Sequence, residues 1–543
     1  MALAAFNIPG STVFLATLAS KTCEFRSEDL TASTDYAGYE TRARRVKHGR
    51  AQALRKWYRL ERQNVDNYRS SIASWTRSPS NPDACSAAST PQRKTHAMSV
   101  MVLTAPVIWD ITGTDLERSM FRHARSCAIP DFGSETPSGK LWINYILPLG
   151  YYSDAVKYAI IAFGIAHRAF LDGPQQENNA AETKLSLDIS SKRYYQKAIS
   201  EVIKVMNCPS PADIPIILVC CLVFVCYEFI QGEPEGAIEH LKSGIKLLES
   251  IRHTALANAL GTAPFQTHEA CVMAAVKNHF AQLCDIAGIF SCIGLDISMG
   301  LQTRVGPDMS FFMHGELGGD SPFSDVADAQ YHLHLVELML SDGRNELSML
   351  PADEFGSASF TCPENHAIDS FVGWHGAAKQ FERWCARFDA FEENLPHQTR
   401  EVNREELLTL RLLRKGWELC IRHFLVNEGL MYEWKMHRLV DMAENIVDGR
   451  GSRSRPLFSD TAHIIPSLSY ICVTCGNYKL ERRCIDVLRK MKKREGLWDS
   501  EEIVEALEFI LVAKRDNQWK DEYLVDGLPT FAKRIVGTRP RSI

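Results

Sequence analysis

The chain has 543 residues, of which 45% are hydrophobic and 23% charged, and its formal net charge is -5. That length supports a large core and more than one folding unit, and the composition is that of an ordinary globular protein. A net negative charge excludes nucleic-acid binding through bulk charge, so any such role must sit in a local patch. The 16 cysteines are scattered through apolar stretches, as at Cys220, Cys221 and Cys226. They read as reduced, buried thiols of an intracellular protein, not as a disulfide framework.

Met1 to Ala19 is mildly apolar, but it lacks a basic leading region and is interrupted by Pro9 and Gly10, which argues against a signal peptide. Ser27 to Tyr39 is polar. Thr41 to Arg62 is densely basic, with Arg42, Arg44, Arg45, Lys47, Arg50, Arg55, Lys56, Arg59 and Arg62 against the single acid Glu61, and with Trp57 and Tyr58 interleaved. Such a run serves as a nuclear-import signal, as a segment contacting the DNA backbone, or simply as a solvated basic helix. Ser70 to Ser99, rich in Ser, Pro, Ala and Asn, reads as a linker. Residues 1–100 are therefore expected to form a flexible, partly basic lead.

From about Met101 the pattern changes to long amphipathic stretches with helical period. In Ser191 to Met206 the residues Tyr195, Ala198, Ile199, Val202 and Met206 share one face. In Pro234 to Ile251 the residues Ile238, Leu241, Ile245 and Leu248 do the same, and Pro234 suits a first helical turn. Asp499 and Glu502 form a capping pattern ahead of Ile503, Val504, Leu507 and Leu511. Further helices are expected over about 154–170, 267–294, 324–343, 365–395, 403–448 and 477–492. The longest apolar run, Ile214 to Tyr227, falls short of the roughly 20 residues a bilayer span needs and reads as a buried core helix, so no membrane partner is expected. Strand alternation is scarce, and Asp342-Gly343 and Asp448-Gly449 follow helical patterns and look like helix exits. The expected fold class is all-α, with residues 101–543 as one multi-helix domain. The stretch holding Gly300, Gly306, Pro307, Gly315, Gly318 and Gly319 admits a division into two subdomains meeting between 300 and 365.

Few residues suggest chemistry. Cys472 and Cys475 form the only C-x-x-C, with Cys484 alone nearby, and read as core cysteines. His332 and His334 are two apart and point to different faces of a helix, while His167 and His240 lie beside apolar residues as structural histidines. Gly133 to Lys140 superficially resembles a phosphate loop, but its spacing is wrong and Leu141 stands where Ser or Thr must bind magnesium. Glu228, in the last turn of an apolar helix, is poorly placed for the helix dipole and needs either solvent or a partner. No catalytic constellation and no metal-ligand set emerges, so an enzyme is not expected.

Two segments carry a family resemblance. The first contains "DAVKYAIIAFGIAHRAF" (Asp154 to Phe170), "RYYQKAISEV" (Arg193 to Val202) and "CCLVFVCYEFIQGEPEGAIEHLKSGIKLLE" (Cys220 to Glu249). It resembles the regulatory domain of fungal zinc-cluster transcription factors, in which a "C-L-x-F-x-x-x-E" helix leads to an "H-x-x-S-G-x-x-L" helix. Cys221, Leu222, Phe224 and Glu228, then His240, Ser243, Gly244 and Leu247, match those patterns. The second, Ile464 to Ser500, resembles the family's C-terminal segment and ends in "R-E-G-x-W-D", matched by Arg494, Glu495, Gly496, Trp498 and Asp499.

The resemblance implies a nuclear, all-helical regulator of RNA polymerase II genes, often of a metabolic or secondary-metabolite set, with DNA and other regulators or the transcription machinery as partners and a homodimer as one arrangement. It departs from the family at the six-cysteine DNA-binding module, because only Cys23, Cys85 and Cys127 precede residue 200. Cys23 in "SKTCEF" resembles the tail of such a module, and the basic run follows it as a basic linker does in the family. Either an upstream exon supplies the cluster or the chain works without one; zinc is expected only in the first case. The competing readings are a helical scaffold that never contacts DNA and an α-helical enzyme.

Overall fold

The computed structural model describes residues 110–515, apart from 134, 173–178, 208, 260–266, 302–304, 308, 313–320, 349–364, 427–432 and 450–454. The basic run Arg42 to Arg62 and the rest of the lead lie outside the described residues, as do Gly315, Gly318 and Gly319 of the Gly- and Pro-rich stretch.

Helix dominates. The opening helix α1 (Asp115–His123) starts at a capping box, in which Glu117 N donates to Thr114 Oγ1 and Thr114 N donates to Glu117 Oε2 at 2.7 Å. It runs on through a π turn, Ala124–Ala128, and a 3-10 turn, Ile129–Phe132. Two short helices, α2 (Pro137–Leu141) and α3 (Leu147–Gly150), lead into α4 (Asp154–Leu171). The alanine-rich α4 is buried on almost every face, packed against α1 and against the next two helices, α5 (Asn179–Asn207) and α6 (Asp213–Gln231). A side chain at Gly164 would meet the Met120 carbonyl oxygen at 2.5 Å, so this glycine sets the close crossing of α4 and α1.

The helix α6 is buried over nearly its whole length, as expected of the apolar run from Ile214 to Tyr227. A left-handed Gly232 (φ 74°) ends it and turns the chain into α7 (Pro234–Ala259), whose first residue is the proline. The long α8 (Thr267–Leu301) follows, with a kink at His279. Both α6 and α8 are long and apolar enough to cross a membrane, but 83% and 72% of their apolar windows are covered by other parts of the fold. Such burial is that of core helices.

Next come α9 (Val326–Ser348), α10 (Asn365–Asn394), α11 (His397–Val402), α12 (Arg404–Val426) and α13 (Glu433–Gly449). An aromatic core of Phe323, Phe381, Trp384, Phe388 and Phe391 joins α9, α10 and α12. The remaining helices, α14 (Ile464–Thr474), α15 (Tyr478–Met491) and α16 (Ser500–Arg515), share a second core with α12 and α13.

Three details differ from the sequence reading. The pattern over 403–448 is two helices, α12 and α13. Asp342-Gly343 sits inside α9, whereas Asp448-Gly449 does end α13. A small sheet also exists. In it β1 (Leu457–Ser459) pairs in parallel with β2 (Lys493–Glu495), which pairs antiparallel with β3 (Trp498–Asp499). Strands of two or three residues are too short to display the alternation by which a strand is recognised.

Candidate functional site

The three helices that carry the first motif meet around one buried hydroxyl. Tyr195 projects from α5 and places its hydroxyl 2.6 Å from Glu228 Oε1 on α6 and 2.5 Å from His240 Nε2 on α7. Glu228 and His240 themselves approach to 4.0 Å. The hydroxyl has one proton. If it goes to the carboxylate, the His240 Nε2–H donates to the tyrosine oxygen, and the chain runs from imidazole to hydroxyl to carboxylate. Burial pulls His240 down to about 3 and, with the neighbouring Glu228, pushes Tyr195 well above its usual range. Both stay neutral near pH 7, so the trio fixes geometry and is not poised for acid–base work.

The surroundings hold Tyr195 in place. Its ring stacks on Tyr227 with centroids 4.4 Å apart and meets Phe224 edge-on at 5.1 Å. The Tyr227 hydroxyl lies near Ser191 Oγ and Gln231 Nε2, which adds a second polar row between α5 and α6. Gly236 leaves room for Glu228, because a Cβ there would stand 2.8 Å from the carboxyl carbon. Gly244 does the same for helix packing: a Cβ would stand 2.2 Å from the Phe290 ring on α8. The motif residues His240 and Gly244 thus have separate tasks, one polar and one steric.

The second motif closes on the first. Arg494 Nη1 donates to the Phe229 carbonyl oxygen at 2.8 Å, in the last turn of α6, beside the Gly232 amide that donates to the same oxygen at 3.0 Å. The same guanidinium holds Asp499 at 2.9 Å, and Asp499 in turn accepts from the Glu501 and Glu502 amides and caps α16. Glu495 is fully buried. Its Oε2 accepts from the amides of His463, Ile464 and Ile465 at the start of α14, and Lys493 lies 3.0 Å from Oε1. Burial disfavours the Glu495 carboxylate, but Lys493, His463 and those amides outweigh it and hold the pKa below the usual value. Asp460, also buried, accepts from Ser138 on α2 and is pushed up to about 6 by burial.

A further polar chain crosses the domain. His123 Nε2 lies 3.1 Å from His167 Nδ1, and His167 Nε2 lies 3.3 Å from Asp131 Oδ2. Arg455 clasps Asp131 with contacts of 2.6 and 3.2 Å. The sequence marked His167 as structural but had no signal for Asp131 or Arg455, which stand 324 positions apart.

The other sequence candidates resolve as follows. Cys472 is buried in the core of α14 to α16, and burial pushes its thiol and that of Cys484 up, the latter to about 12. His332 faces Asp328 at 3.4 Å, whereas His334 lies 3.3 Å from Ser291 Oγ, so the two point apart. The pseudo-phosphate loop forms α2, with Thr136 accepting from the Gly139 amide and Lys140 engaged by Asp325 at 2.8 Å. Among the described residues no group of three or more His, Cys, Asp or Glu is placed to hold a metal ion.

Residues 126–282 match the family model described as "Fungal specific transcription factor domain". That span begins in the π turn after α1 and ends within α8, and it contains Tyr195, Glu228 and His240. The match supports a role in transcription regulation. No curated protein and no solved structure matches the chain at a significant level.

Proposed function

We propose that this chain, whose residues 126–282 carry a fungal specific transcription factor domain, is a nuclear regulator of RNA polymerase II genes of the zinc-cluster type, controlling a metabolic or secondary-metabolite gene set. The observation that carries the reading is the domain match itself. Two features support it. The motif residues inside the match converge on Tyr195, and the C-terminal motif residue Arg494 clasps the end of α6.

In this reading the helical domain regulates, and DNA is reached through a six-cysteine module encoded upstream, through the basic segment Arg42 to Arg62, or through a partner. The basic segment supplies nuclear import. The chain is not an enzyme in this reading. A helical scaffold is the alternative if no DNA contact is made.

Chromatin occupancy of the tagged full-length protein, together with transcript changes on its loss, tests the reading. Occupied promoters whose transcripts change support it. A protein that occupies no promoter supports the scaffold alternative. Zinc content of the purified native protein tests the cluster: two tightly held zinc ions per chain indicate it.

A further inference from the structure

Beyond the transcriptional reading, the surface between α12 and α13 holds a recess of about 200 Å³. Its floor is apolar, formed by the buried side chains of Leu419 and Leu439. Its rim is Lys415, Glu418, Trp434, Lys435 and Arg438. Cations outnumber the acid three to one on that rim. The acid, Glu418, is already engaged by Lys415 at 2.6 Å and by Arg414 at 3.1 Å. Arg438, in contrast, has no ion pair among the described residues.

Trp434 is the most informative residue here. The residue is 61% exposed, whereas Trp142, Trp384 and Trp498 are buried. An indole left this open, beside a recess with an apolar floor, presents a flat face for another ring. Trp434 and Arg438 stand one helical turn apart on α13 and so share a face. The Lys435 ammonium lies 5.7 Å from the indole centroid. A ring stacked on Trp434 would carry a substituent into reach of Arg438 and Lys435, and the charge there calls for an anion. A guanidinium matches a carboxylate with two parallel hydrogen bonds. The volume is below the ~300–1,000 Å³ of sites for drug-sized ligands, which limits the occupant to one or two fused rings.

We propose that this recess is a binding site for a small aromatic carboxylate, whose ring stacks on Trp434 over Leu419 and Leu439 and whose carboxylate pairs with Arg438 and Lys435. Nothing in this depends on how the chain acts on transcription, so failure here leaves the regulatory reading standing.

The test is calorimetric titration of the full chain with 2-naphthoate, beside the neutral 2-naphthamide and the non-aromatic cyclohexanecarboxylate. Saturable one-to-one binding of naphthoate is expected, with a Kd on the order of 1 mM or tighter for so few ligand atoms. It should weaken as salt rises. Trp434→Ala and Arg438→Glu are surface changes that leave the fold intact, verified by an unchanged melting transition. Each should weaken naphthoate roughly fivefold or more, by loss of stacking or reversal of charge. Absence of saturable binding overturns the proposal. So does equal binding by both variants, which places the ligand elsewhere, or equal binding of the naphthamide, which removes the role of charge.

Discussion

Arg494 donates from Nη1 to the carbonyl oxygen of Phe229 at 2.8 Å, joining residues 265 positions apart in sequence. The contact fastens the small sheet to the end of α6, at the residue directly after the glutamate that holds Tyr195. Arg494 is only 15% exposed at its side chain and is shared by Phe229, Asp499 and Glu502. Arg494→Ala therefore takes the second donor from the Phe229 carbonyl, leaving it the Gly232 amide, and takes the cationic partner from the mostly buried Asp499 carboxylate. The expected cost is about 2–4 kcal/mol. Arg494→Lys should recover only part of it, because an ammonium cannot span three acceptors in the same plane. Equilibrium unfolding in urea measures both, and an unchanged midpoint for the alanine variant would remove this contact from the account.

The hydroxyl of Tyr195 is the next test. Tyr195→Phe keeps the stacking on Tyr227 and deletes only the oxygen that meets both Glu228 and His240. The loss should be about 1–3 kcal/mol, since two buried polar groups forfeit a partner. Combining it with His240→Gln should give less than the sum of the single effects, because the pair shares one interaction. Strict additivity would mean that the two side chains do not communicate.

How much of this was legible in the sequence depends on range. The helices α4, α6 and α7 could be read from periodicity and from Pro234, and the burial of α6 followed from its unbroken apolar run. Glu228 could be flagged as needing either solvent or a partner. Its partner could not, because Tyr195 reads as one more apolar-face residue in a helical stripe and nothing local distinguishes a ring that packs from one that also donates. Arg494 and Glu495 were visible only as pattern matches. Their tasks depend on Phe229 and on the amides that begin α14, contacts made by folding. Asp131 and Arg455 carried no signal at all, for the same reason. The fold class was secure because short strands hardly alter it. The basic run Arg42 to Arg62 falls outside the described residues, so its candidate role rests on sequence.

The pH dependence separates two buried groups of opposite sign. Burial holds His240 neutral down to about 3, against an ordinary value of 6.5. A histidine depressed in the fold contributes stability that is complete above the unfolded value and is lost as pH falls toward the folded one. Stability should therefore drop between about pH 6.5 and 3, by up to about 1.4 kcal/mol per unit from His240. His123, lowered to about 4 by burial and by neighbouring His167, acts in the same direction. His240→Gln should make the slope of unfolding free energy against pH shallower in that window. An unaltered slope would contradict the burial of a neutral imidazole.

Asp460 works the other way. Its carboxyl is raised to about 6 from an ordinary 3.8, so the folded state prefers it protonated. The benefit is present below 3.8 and is lost as pH rises toward 6, leaving a cost of about 3 kcal/mol above it. Asp460→Asn is neutral at every pH and still accepts from Ser138. It should leave stability unchanged near about pH 4 and raise it by about 1–3 kcal/mol near pH 7.5, less whatever Lys493 contributes to the charged form. Thermal unfolding at both pH values decides it; a variant destabilised at pH 7.5 would show that the carboxylate is needed ionised.

A helical domain that regulates transcription must change transcript levels when it is brought to a promoter. The most direct measurement tethers the full chain to a reporter promoter through a heterologous DNA-binding domain and counts reporter transcripts against the tether alone. Transcripts should rise or fall by several-fold. Transcript levels equal to those of the tether alone, with the fusion shown to be nuclear and bound at the promoter, would contradict a regulatory role.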